Sequence, residues 1–544
     1  MLKFTLLIVL ICVSSVLTIG QVPDKAKVIA GAERAFEKAA KTNPMPAPGC
    51  AVGVSLNGES VFEKAFGLAE MEFEVPNSTQ TVFEAASISK QFTAAAFILL
   101  QQDGKLKIDD PVRKYIPELP EYDRPVTIRH MLNHTAGLRD WGSVLPLTGH
   151  QRFDRLTTND ITFDIIVRQK HLDFIPGTEY SYTNSGYQLA VVIIERVSKK
   201  RFSDFVSERI FKPLGMTKST WKDDHRRIMP QRAQAYTREG SPQEWMRNMR
   251  FTNVVGASGL HTTIGDLLKW NASLDARTFG EPFVKALETQ GVLADGRRIH
   301  YALGISVGKH EGFREVYHDG QQDGYRSYLA RFPDKGLSFA VLCNTLAPDA
   351  IDIVDSIFEE TFGPFPEAKE PPFTVSEKAL RKYVGLWKNE KTRFTNNMTL
   401  ENGRLKLDGQ ALTPVADGSF AMEDRKFKLS AGSPLTAEVL EFDESVTRLT
   451  MVPQWTPTKD EIAIFAGEWR SEEAQATVKI ALDCEKPSLV LGTSNKIAMK
   501  PTLKDHFSAG IYVVWFSRSA RGKVNQMHIG RPRLRDMRFE RSIK

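Results

Sequence analysis

The stretch Phe83-Glu-Ala-Ala-Ser87-Ile-Ser-Lys90-Gln-Phe-Thr-Ala-Ala-Ala-Phe-Ile-Leu-Leu100 is the most informative part of this 544-residue chain. Its alanines and leucines favour a helix that begins at Ser87 and ends before Asp103-Gly104. Ser87 and Lys90 are three positions apart, so they share one helix face within hydrogen-bonding reach. An amine kept neutral by its surroundings can accept the proton of a serine. The stretch therefore predicts a nucleophilic serine with a lysine as its base.

The Ser-x-x-Lys spacing alone says little, because the chain repeats it at Ser219-Thr-Trp-Lys222. A single copy usually marks a surface helix with a capping serine. Ser87 differs because two further polar motifs follow it.

The second motif is Glu179-Tyr-Ser-Tyr182-Thr-Asn184-Ser-Gly-Tyr187, placed after Pro176-Gly177 and before a predicted helix over 188–197. A tyrosine and an amide two residues apart at a helix start can both face a cleft. We assign Tyr182 to proton relay and Asn184 to hydrogen bonding with substrate. The structural alternative is that the tyrosines pack and the asparagine caps the helix.

The third motif is His318-Asp-Gly320-Gln321, at the edge of a predicted strand. Gly320 lacks a side chain, so it would let substrate approach the backbone. The backbone amide of Gln321 can complete an oxyanion hole with the amide of Ser87.

Ser87-x-x-Lys90, Tyr182-x-Asn184 and His318-x-Gly320, in that order, resemble the three motifs of the serine β-lactamase-related and penicillin-binding-protein superfamily. The branch it resembles comprises class C β-lactamases, related esterases and D-aminopeptidases. Supporting matches occur at Met131-Leu-Asn-His134-Thr-Ala-Gly137-Leu138, Pro213-Leu-Gly215-Met216 and Gly256-Ala-Ser-Gly259-Leu-His-Thr-Thr263-Ile-Gly-Asp266. The resemblance covers about residues 30 to 362.

The resemblance implies acylation of Ser87, proton transfer through Lys90 and Tyr182, and substrate contacts from Asn184 and His318. One position departs from the family pattern, since β-lactamases of this branch usually carry Lys-Thr-Gly where this chain has His318-Asp-Gly. A lysine is a fixed cation for a substrate carboxylate, whereas a histidine titrates near pH 6.5. We therefore favour an esterase or D-aminopeptidase-like activity. A β-lactamase or DD-carboxypeptidase is the alternative within the family, and a catalytically inactive sensor or binding protein is the alternative from another class.

The order of elements predicts an α+β catalytic domain. A helix over 24–41 and a hairpin over 50–66 with an Asn-Gly turn precede a mostly helical middle. Strands return at 301–307, 315–318, 324–332 and 337–343, and a helix over 351–362 closes the region. This order describes an antiparallel sheet flanked by helices, with an inserted all-helical lobe and a cleft between the two.

Two Pro-rich segments follow this domain, and a similar sequence motif occurs after each of them. Tyr383-Val-Gly-Leu-Trp387 recurs 82 residues later as Phe465-Ala-Gly-Glu-Trp469. Short alternating strands after each copy predict two small, lipocalin-like β-barrel units. The predicted division is a signal peptide at 1–20, the hydrolase domain at 21–365, and barrel units at 376–455 and 460–544.

Composition excludes several classes of partner. Basic and acidic residues number 72 and 66 and are spread along the chain, which argues against a nucleic-acid partner. His130 and His134 have the spacing of a zinc pair, but Met131 replaces the glutamate of a metalloprotease, so we predict no metal and no cofactor. The predicted partner is a small ester, amide or peptide substrate. Oligomeric state is left open.

The first twenty residues are typical of an export signal, with Lys3 before an apolar run too short to span a bilayer. The predicted location is secreted or periplasmic, with no membrane-spanning segment once the signal is removed. Removal leaves Cys50, Cys343 and Cys484. If the first and last predicted strands pair at the sheet centre, as in the family resembled, Cys50 and Cys343 can form a disulfide in an oxidising compartment.

Overall fold

The computed structural model describes residues 22–150, 155–238, 244–365, 375–423, 425–441, 445–483, 486–493 and 495–542. The predicted signal and Cys484 lie outside these ranges. A six-stranded antiparallel sheet organises the first part of the chain, in the order Ser306–His310, Phe313–Gln322, Tyr325–Phe332, Leu337–Cys343, Cys50–Leu56 and Glu59–Ala65. The predicted antiparallel sheet is confirmed.

The first and last long strands of this sheet are neighbours. Cys50 lies directly opposite Cys343 in the register, and a disulfide joins the two buried sulfurs. This confirms the pairing hypothesis. The covalent link closes the sheet and the helical lobe across 293 residues of the chain.

Helices cover one face of the sheet. Lys25–Thr42 and Ala350–Phe362 pack against each other there, and a Cβ on Gly31 would lie 2.9 Å from Thr361 Oγ1. The buried positions Val28, Ala32, Ala35 and Ala39 recur at helical spacing, which is the pattern that predicted the first helix.

The opposite face of the sheet supports the helical lobe. Its helices are Ser89–Gln102, Ile128–Leu132, Trp141–Val144, Asn159–Val167, Ser185–Ser198, Phe202–Val206, Ile264–Asp275 and Glu281–Glu288, and Ser207–Phe211 forms a π-helical turn. Short 3₁₀ turns occur at Ala86–Ile88, Val112–Lys114, Leu145–Thr148 and Pro333–Lys335. Short two-stranded sheets connect these elements: Leu68–Glu70 with Val75–Pro76, Thr157–Thr158 with Thr252–Asn253, and Tyr236–Thr237 with Met246–Arg247. A three-stranded sheet contains Phe83–Glu84, Leu260–Thr262 and Thr220–Trp221, with Leu260–Thr262 in the middle. Ser89–Gln102 is buried along nearly its whole length, so it forms the centre of the core.

Three predicted element bounds are wrong. The strand predicted over 315–318, with His318 at its edge, extends over Phe313–Gln322, so His318 lies inside it. The helix begins at Ser89, because Ala86–Ile88 forms a tight 3₁₀ turn first. The predicted strand over 301–307 is a turn followed by the strand Ser306–His310. A turn is required there because Gly304 lies against the backbone of Lys90, where a Cβ would come within 2.5 Å of the carbonyl oxygen.

The C-terminal part consists of two nine-stranded antiparallel sheets, each curled into a nearly closed barrel. The first barrel unit contains Gly385–Asn389, Thr395–Glu401, Arg404–Leu407, Gln410–Ala411, Thr413–Pro414, Phe420–Met422, Arg425–Leu429, Thr436–Leu440 and Val446–Val452, preceded by Glu377–Leu380 and the 3₁₀ turn Arg381–Tyr383. The second barrel unit contains Gly467–Ser471, Ala476–Asp483, Lys486–Leu491, Asn495–Ala498, Lys500–Pro501, His506–Ala509, Tyr512–Arg518, Val524–Arg531 and Leu534–Arg541, preceded by Lys459–Ala463.

The two barrel units share one strand order and one structural detail. In each, an indole N–H donates to the carbonyl four residues earlier: Trp387 to Tyr383 at 2.9 Å and Trp469 to Phe465 at 3.1 Å. The predicted repeat is therefore confirmed in three dimensions.

The turn between the last two strands of the second barrel unit is one of its contacts with the helical lobe. The backbone N–H of Asp140 donates to the carbonyl of Arg533 at 3.0 Å. Nearby, the guanidinium of Arg535 forms a bidentate pair with Glu179, at 3.1 and 3.0 Å. This turn is thereby fixed beside the second sequence motif.

Within the described ranges, no helix combines the length and the apolar composition that a bilayer-crossing segment requires.

Candidate active site

A cavity of about 960 Å³ lies between the sheet and the helical lobe. It is lined by five of the residues predicted from sequence: Ser87, Tyr182, Asn184, His318 and Gln321. The first barrel unit adds Asn389, Lys391, Thr392, Glu441, Ser445 and Thr447, and the second adds Pro532, Arg533 and Arg535. We call this cavity the cleft. It is enclosed by all three parts of the molecule.

Ser87 sits in the tight turn before the central helix. Ala86 adopts a left-handed φ of 48°, which an alanine rarely does. The turn is fixed on both sides, since the Ala85 N–H donates to Leu260 O at 2.8 Å and the Ser327 hydroxyl donates to Ala85 O at 2.9 Å. The nucleophile candidate is thus held in a strained, rigid conformation at the cleft wall.

Lys90 is fully buried directly behind Ser87. Its Nζ lies 3.0 Å from Ser87 Oγ and 2.9 Å from the carbonyl of Ala257. Burial lowers the pKa of Lys90 well below its ordinary value, and the positive charge of Arg533 lowers it further. A neutral amine at hydrogen-bonding distance is able to accept the proton of Ser87.

Tyr182 forms the wall opposite Ser87. The Nζ of Lys90 lies 4.9 Å from the centre of the Tyr182 ring, and the His134 ring packs against it at 4.2 Å. Burial raises the pKa of the Tyr182 hydroxyl, and its hydrogen bond with Ser87 opposes that rise only in part. The phenol is therefore protonated at neutral pH and can donate a hydrogen bond to a leaving group.

Asn184 lies at the start of the helix Ser185–Ser198, but its side chain does not cap that helix. Its backbone N–H donates to Asp140 Oδ1 at 2.9 Å. The anchoring of the backbone by Asp140 leaves the Asn184 amide among the cleft-lining groups. The alternative of a helix-capping asparagine is thus not what the structure shows.

His318 lies inside the strand Phe313–Gln322 and is only 3% exposed. Its Nε2 is 2.8 Å from the Tyr301 hydroxyl, and its Nδ1 is 2.5 Å from Asp319 O. Burial lowers the pKa of His318 to about 4, below the value near 6.5 expected from the residue type. The imidazole is therefore neutral at working pH.

Gly320 and Gln321 follow on the same strand. A Cβ on Gly320 would lie 2.1 Å from Ser327 Oγ and 2.7 Å from Ala85 O. The missing side chain thus lets the strand pack against the turn that carries Ser87. Gln321 is exposed and lines the cleft, and its contribution to an oxyanion hole stays a prediction.

The other candidate motifs have structural roles. Ser219 bonds to Thr262 Oγ1 at 2.7 Å and to Asp266 Oδ2 at 3.0 Å. His134 is buried against Tyr182 and Tyr301, at ring distances of 4.2 and 4.5 Å. Neither lines the cleft.

Sequence reasoning missed three contributors to the site. Asp140 anchors Asn184, Tyr301 bonds to His318, and Arg533 reaches the cleft from the second barrel unit. Asp140 stands two residues after the supporting match that ends at Leu138, which was the only signal near it. No local pattern marks Arg533.

Known proteins resemble this chain over its catalytic part and beyond. The family model described as Beta-lactamase matches residues 39–360. A D-aminopeptidase of Gluconobacter oxydans (strain 621H) is 25% identical over 524 residues, which is 91% of this chain and 96% of the relative. Penicillin-binding protein 4* of Bacillus subtilis (strain 168) is 28% identical over 374 residues, 64% of this chain and 81% of the relative.

Solved structures share the fold. The octameric penicillin-binding protein homologue from Pyrococcus abyssi aligns with a TM-score of 0.55 at 21% identity, covering 78% of this chain and all of that one. The D-amino acid amidase from Ochrobactrum anthropi SV3 aligns with a TM-score of 0.52 at 23% identity, covering 61% of this chain and 98% of that one.

Proposed function

The chain belongs to the Beta-lactamase family, and from that premise we propose that it is a serine hydrolase that cleaves amide or ester bonds through an acyl-enzyme on Ser87. The observation that carries the proposal is the 3.0 Å contact between Ser87 Oγ and the buried amine of Lys90. A structural lysine is usually exposed or paired with a carboxylate, whereas Lys90 is fully buried and has no carboxylate partner in the part of the chain that the structure describes.

The proposed mechanism has two halves. Ser87 Oγ attacks the substrate carbonyl while its proton passes to Lys90, and the amides of Ser87 and Gln321 stabilise the oxyanion. The proton then reaches the leaving amine or alcohol through the protonated Tyr182, and the scissile bond breaks. Water attacks the resulting ester by the reverse route, which releases the acid and regenerates Ser87.

Two observations bear on the substrate class: the activity of a similar protein and the charge of the third motif. The relative that aligns over nearly the whole chain is a D-aminopeptidase. His318 is neutral, so the third motif holds no cation of the kind that β-lactamases of this branch place there. We favour a D-aminopeptidase-like amide hydrolase or an esterase, with β-lactamase or DD-carboxypeptidase activity second and an inactive binding protein third.

Covalent labelling tests the proposal. A fluorophosphonate should label the wild-type chain at Ser87, as shown by peptide mass spectrometry, and the variants S87A and K90A should remain unlabelled. Y182F retains the ring that packs on Lys90 and should lose about 10²- to 10⁴-fold in turnover, the usual contribution of a proton donor. An unlabelled wild type, or a labelled S87A, would overturn the assignment.

One control is needed because of a second serine. Ser517 Oγ lies 2.9 Å from His528 Nε2, and His528 Nδ1 lies 2.7 Å from Asp536 Oδ1. Trp515 stacks flat on His528 at 4.9 Å, and Ser517, His528 and Asp536 do not line the cleft. We expect S517A to label like the wild type. Screening with nitrocefin, p-nitrophenyl esters and D-alanyl p-nitroanilide then ranks the substrate classes.

We also propose that the chain is exported to the periplasm or beyond the cell. The N-terminal apolar run and the buried Cys50–Cys343 disulfide support this location. Mass spectrometry of the mature protein should find an N-terminus near Gln21, and an intact Met1 on the cytosolic protein would contradict export.

A further inference from the structure

Most charged side chains in the cleft wall are neutralised by a partner. Arg250 pairs with Asp323 at 2.8 Å. Lys391 and Arg535 both pair with Glu179, at 2.9 and 3.0 Å. These groups hold the three parts of the molecule together and have little charge to offer a ligand.

Arg533 is different. Its guanidinium lies 4.8 Å over the ring of Tyr182. Among the described residues, no carboxylate or other acceptor lies within bonding distance of that guanidinium. The side chain is exposed and lines the cleft, so its N–H donors are accessible to a ligand there.

The position of Arg533 is nevertheless rigid. Its carbonyl accepts from the backbone of Asp140, whose side chain also holds Asn184. The next residue, Leu534, is fully buried, and Arg535 is clamped on Glu179. A cation carried on a backbone held at three consecutive residues therefore lines the cleft from the second barrel unit.

This cation is close to the reacting groups. The Tyr182 ring beneath Arg533 is also in contact with the amine of Lys90, 4.9 Å from the ring centre. The imidazole of His318 on the opposite strand is uncharged. Arg533 is therefore positioned to supply the positive charge that the third motif lacks, and a guanidinium can hold a carboxylate through two parallel hydrogen bonds.

Building on the proposed function, we infer that Arg533 is a specificity-determining residue that selects substrates with a carboxylate near the scissile bond. Asp319 is the competing charge in the cleft, since its side chain is 62% exposed and its neighbour His318 is neutral. If Asp319 rather than Arg533 selects the substrate, the test should instead show a preference for a positively charged group, such as a substrate amine.

The test uses two matched series of thioesters, with the released thiol measured by a chromogenic disulfide. In the first, N-acetyl-D-alanyl thioesters differ only in the leaving group, which is mercaptoacetate, mercaptoacetamide or thiocholine. In the second, the leaving group is fixed as mercaptoacetamide and the acyl group is N-succinyl-D-alanyl or its neutral N-succinamoyl counterpart. We expect kcat/KM to favour the carboxylate in at least one series by roughly 10- to 100-fold, the effect of one hydrogen bond between charged groups.

R533Q should abolish that preference, R533K should retain part of it, and R533E should favour thiocholine. The matched control is R531Q. Arg531 is on the same hairpin but packs on Tyr512 at 5.1 Å, outside the cleft, and this variant should keep the wild-type preference. Each comparison is a ratio of kcat/KM for two substrates of the same variant, so any general effect of Arg533 on the reactivity of Lys90 cancels.

Two results would overturn the inference: equal rates within both series for the wild type, or a carboxylate preference that survives in R533Q. A preference for thiocholine that is lost in D319N would assign the selecting charge to Asp319 instead. Failure of the proposed function is distinguished by fluorophosphonate labelling, because R533Q should still be labelled at Ser87 while a chain without the proposed chemistry would not.

Discussion

The guanidinium of Arg139 lies 3.0 Å from the carboxylate of Glu473, and both side chains are buried, at 1% and 8% exposure. Arg139 belongs to the helical lobe and Glu473 to the second barrel unit. Arg139 also donates to Gln169 and to the carbonyl of Asp536, so one buried arginine joins the two parts. The barrel unit is thus locked in place by a polar contact that requires both partners.

Removing Glu473 should destabilise the protein strongly. In E473A the buried guanidinium loses the carboxylate at 3.0 Å and keeps that of Asp173, 3.6 Å from Nε; losing a hydrogen bond between charged groups typically costs about 1.5–3 kcal/mol. Urea denaturation followed by tryptophan fluorescence should show a lower midpoint. The adjacent Glu472 pairs with Lys170 on the surface, with both side chains well exposed, so E472A should leave the midpoint unchanged. Equal midpoints for E473A and the wild type would contradict the role of this pair.

The pH dependence of turnover should reveal the charges around Lys90. Lys90 accepts a proton only when neutral, so kcat/KM should fall as the pH drops through its lowered pKa. The charge of Arg533 lowers this pKa and that of Asp319 raises it. The acid limb of the pH profile should therefore move to higher pH in R533Q and to lower pH in D319N. Shifts in the same direction would contradict this electrostatic assignment.

Adding one methyl group behind Ser87 should impair acylation. In G320A the new Cβ would meet Ser327 Oγ and Ala85 O, so the strand or the nucleophile turn must shift. Such a displacement typically costs about 10²-fold in rate. G308A is the control, because a Cβ there would meet only Tyr317, at 3.8 Å. The measurement is the rate of fluorophosphonate labelling, and equal rates for G320A and G308A would contradict the packing argument.

The Cys50–Cys343 disulfide should reduce the number of free thiols and should stabilise the folded protein. Unfolded but unreduced protein that starts at residue 21 should show one free thiol, that of Cys484, with a thiol reagent. Replacing both bridged cysteines by alanine should lower the free energy of unfolding by about 2–4 kcal/mol. Three free thiols in the parent protein would show that the bridge is absent.

The sequence predicted the parts of this molecule that depend on local pattern. Helical spacing predicted the helix over 24–41, and an Asn-Gly turn predicted the first hairpin. The spacing of Ser87 and Lys90 indicated a contact that the structure places at 3.0 Å. The motif that ends at Trp387 recurs in the motif that ends at Trp469, and this recurrence predicted the repeated barrel.

What the sequence could not predict depends on burial and on distant contacts. The pKa of His318 falls to about 4 because the strand around it is covered, which residue type alone does not reveal. Arg533 meets Asp140 across almost four hundred residues, with no periodicity connecting them. The turn at Ala86–Ile88 replaces a helical start because the Ala85 backbone bonds to a separate strand.

The two barrel units have the same strand order, and the hairpin between the last two strands of each contributes residues to one pocket mouth. These residues are Glu441 and Ser445 in the first unit and Pro532 and Arg533 in the second. The proposed nucleophile and base lie elsewhere, Ser87 in the turn Ala86–Ile88 and Lys90 on the central helix. We therefore expect that ligand preference can be changed by exchanging Glu441, Ser445, Pro532 or Arg533 while the proposed nucleophile and base remain untouched.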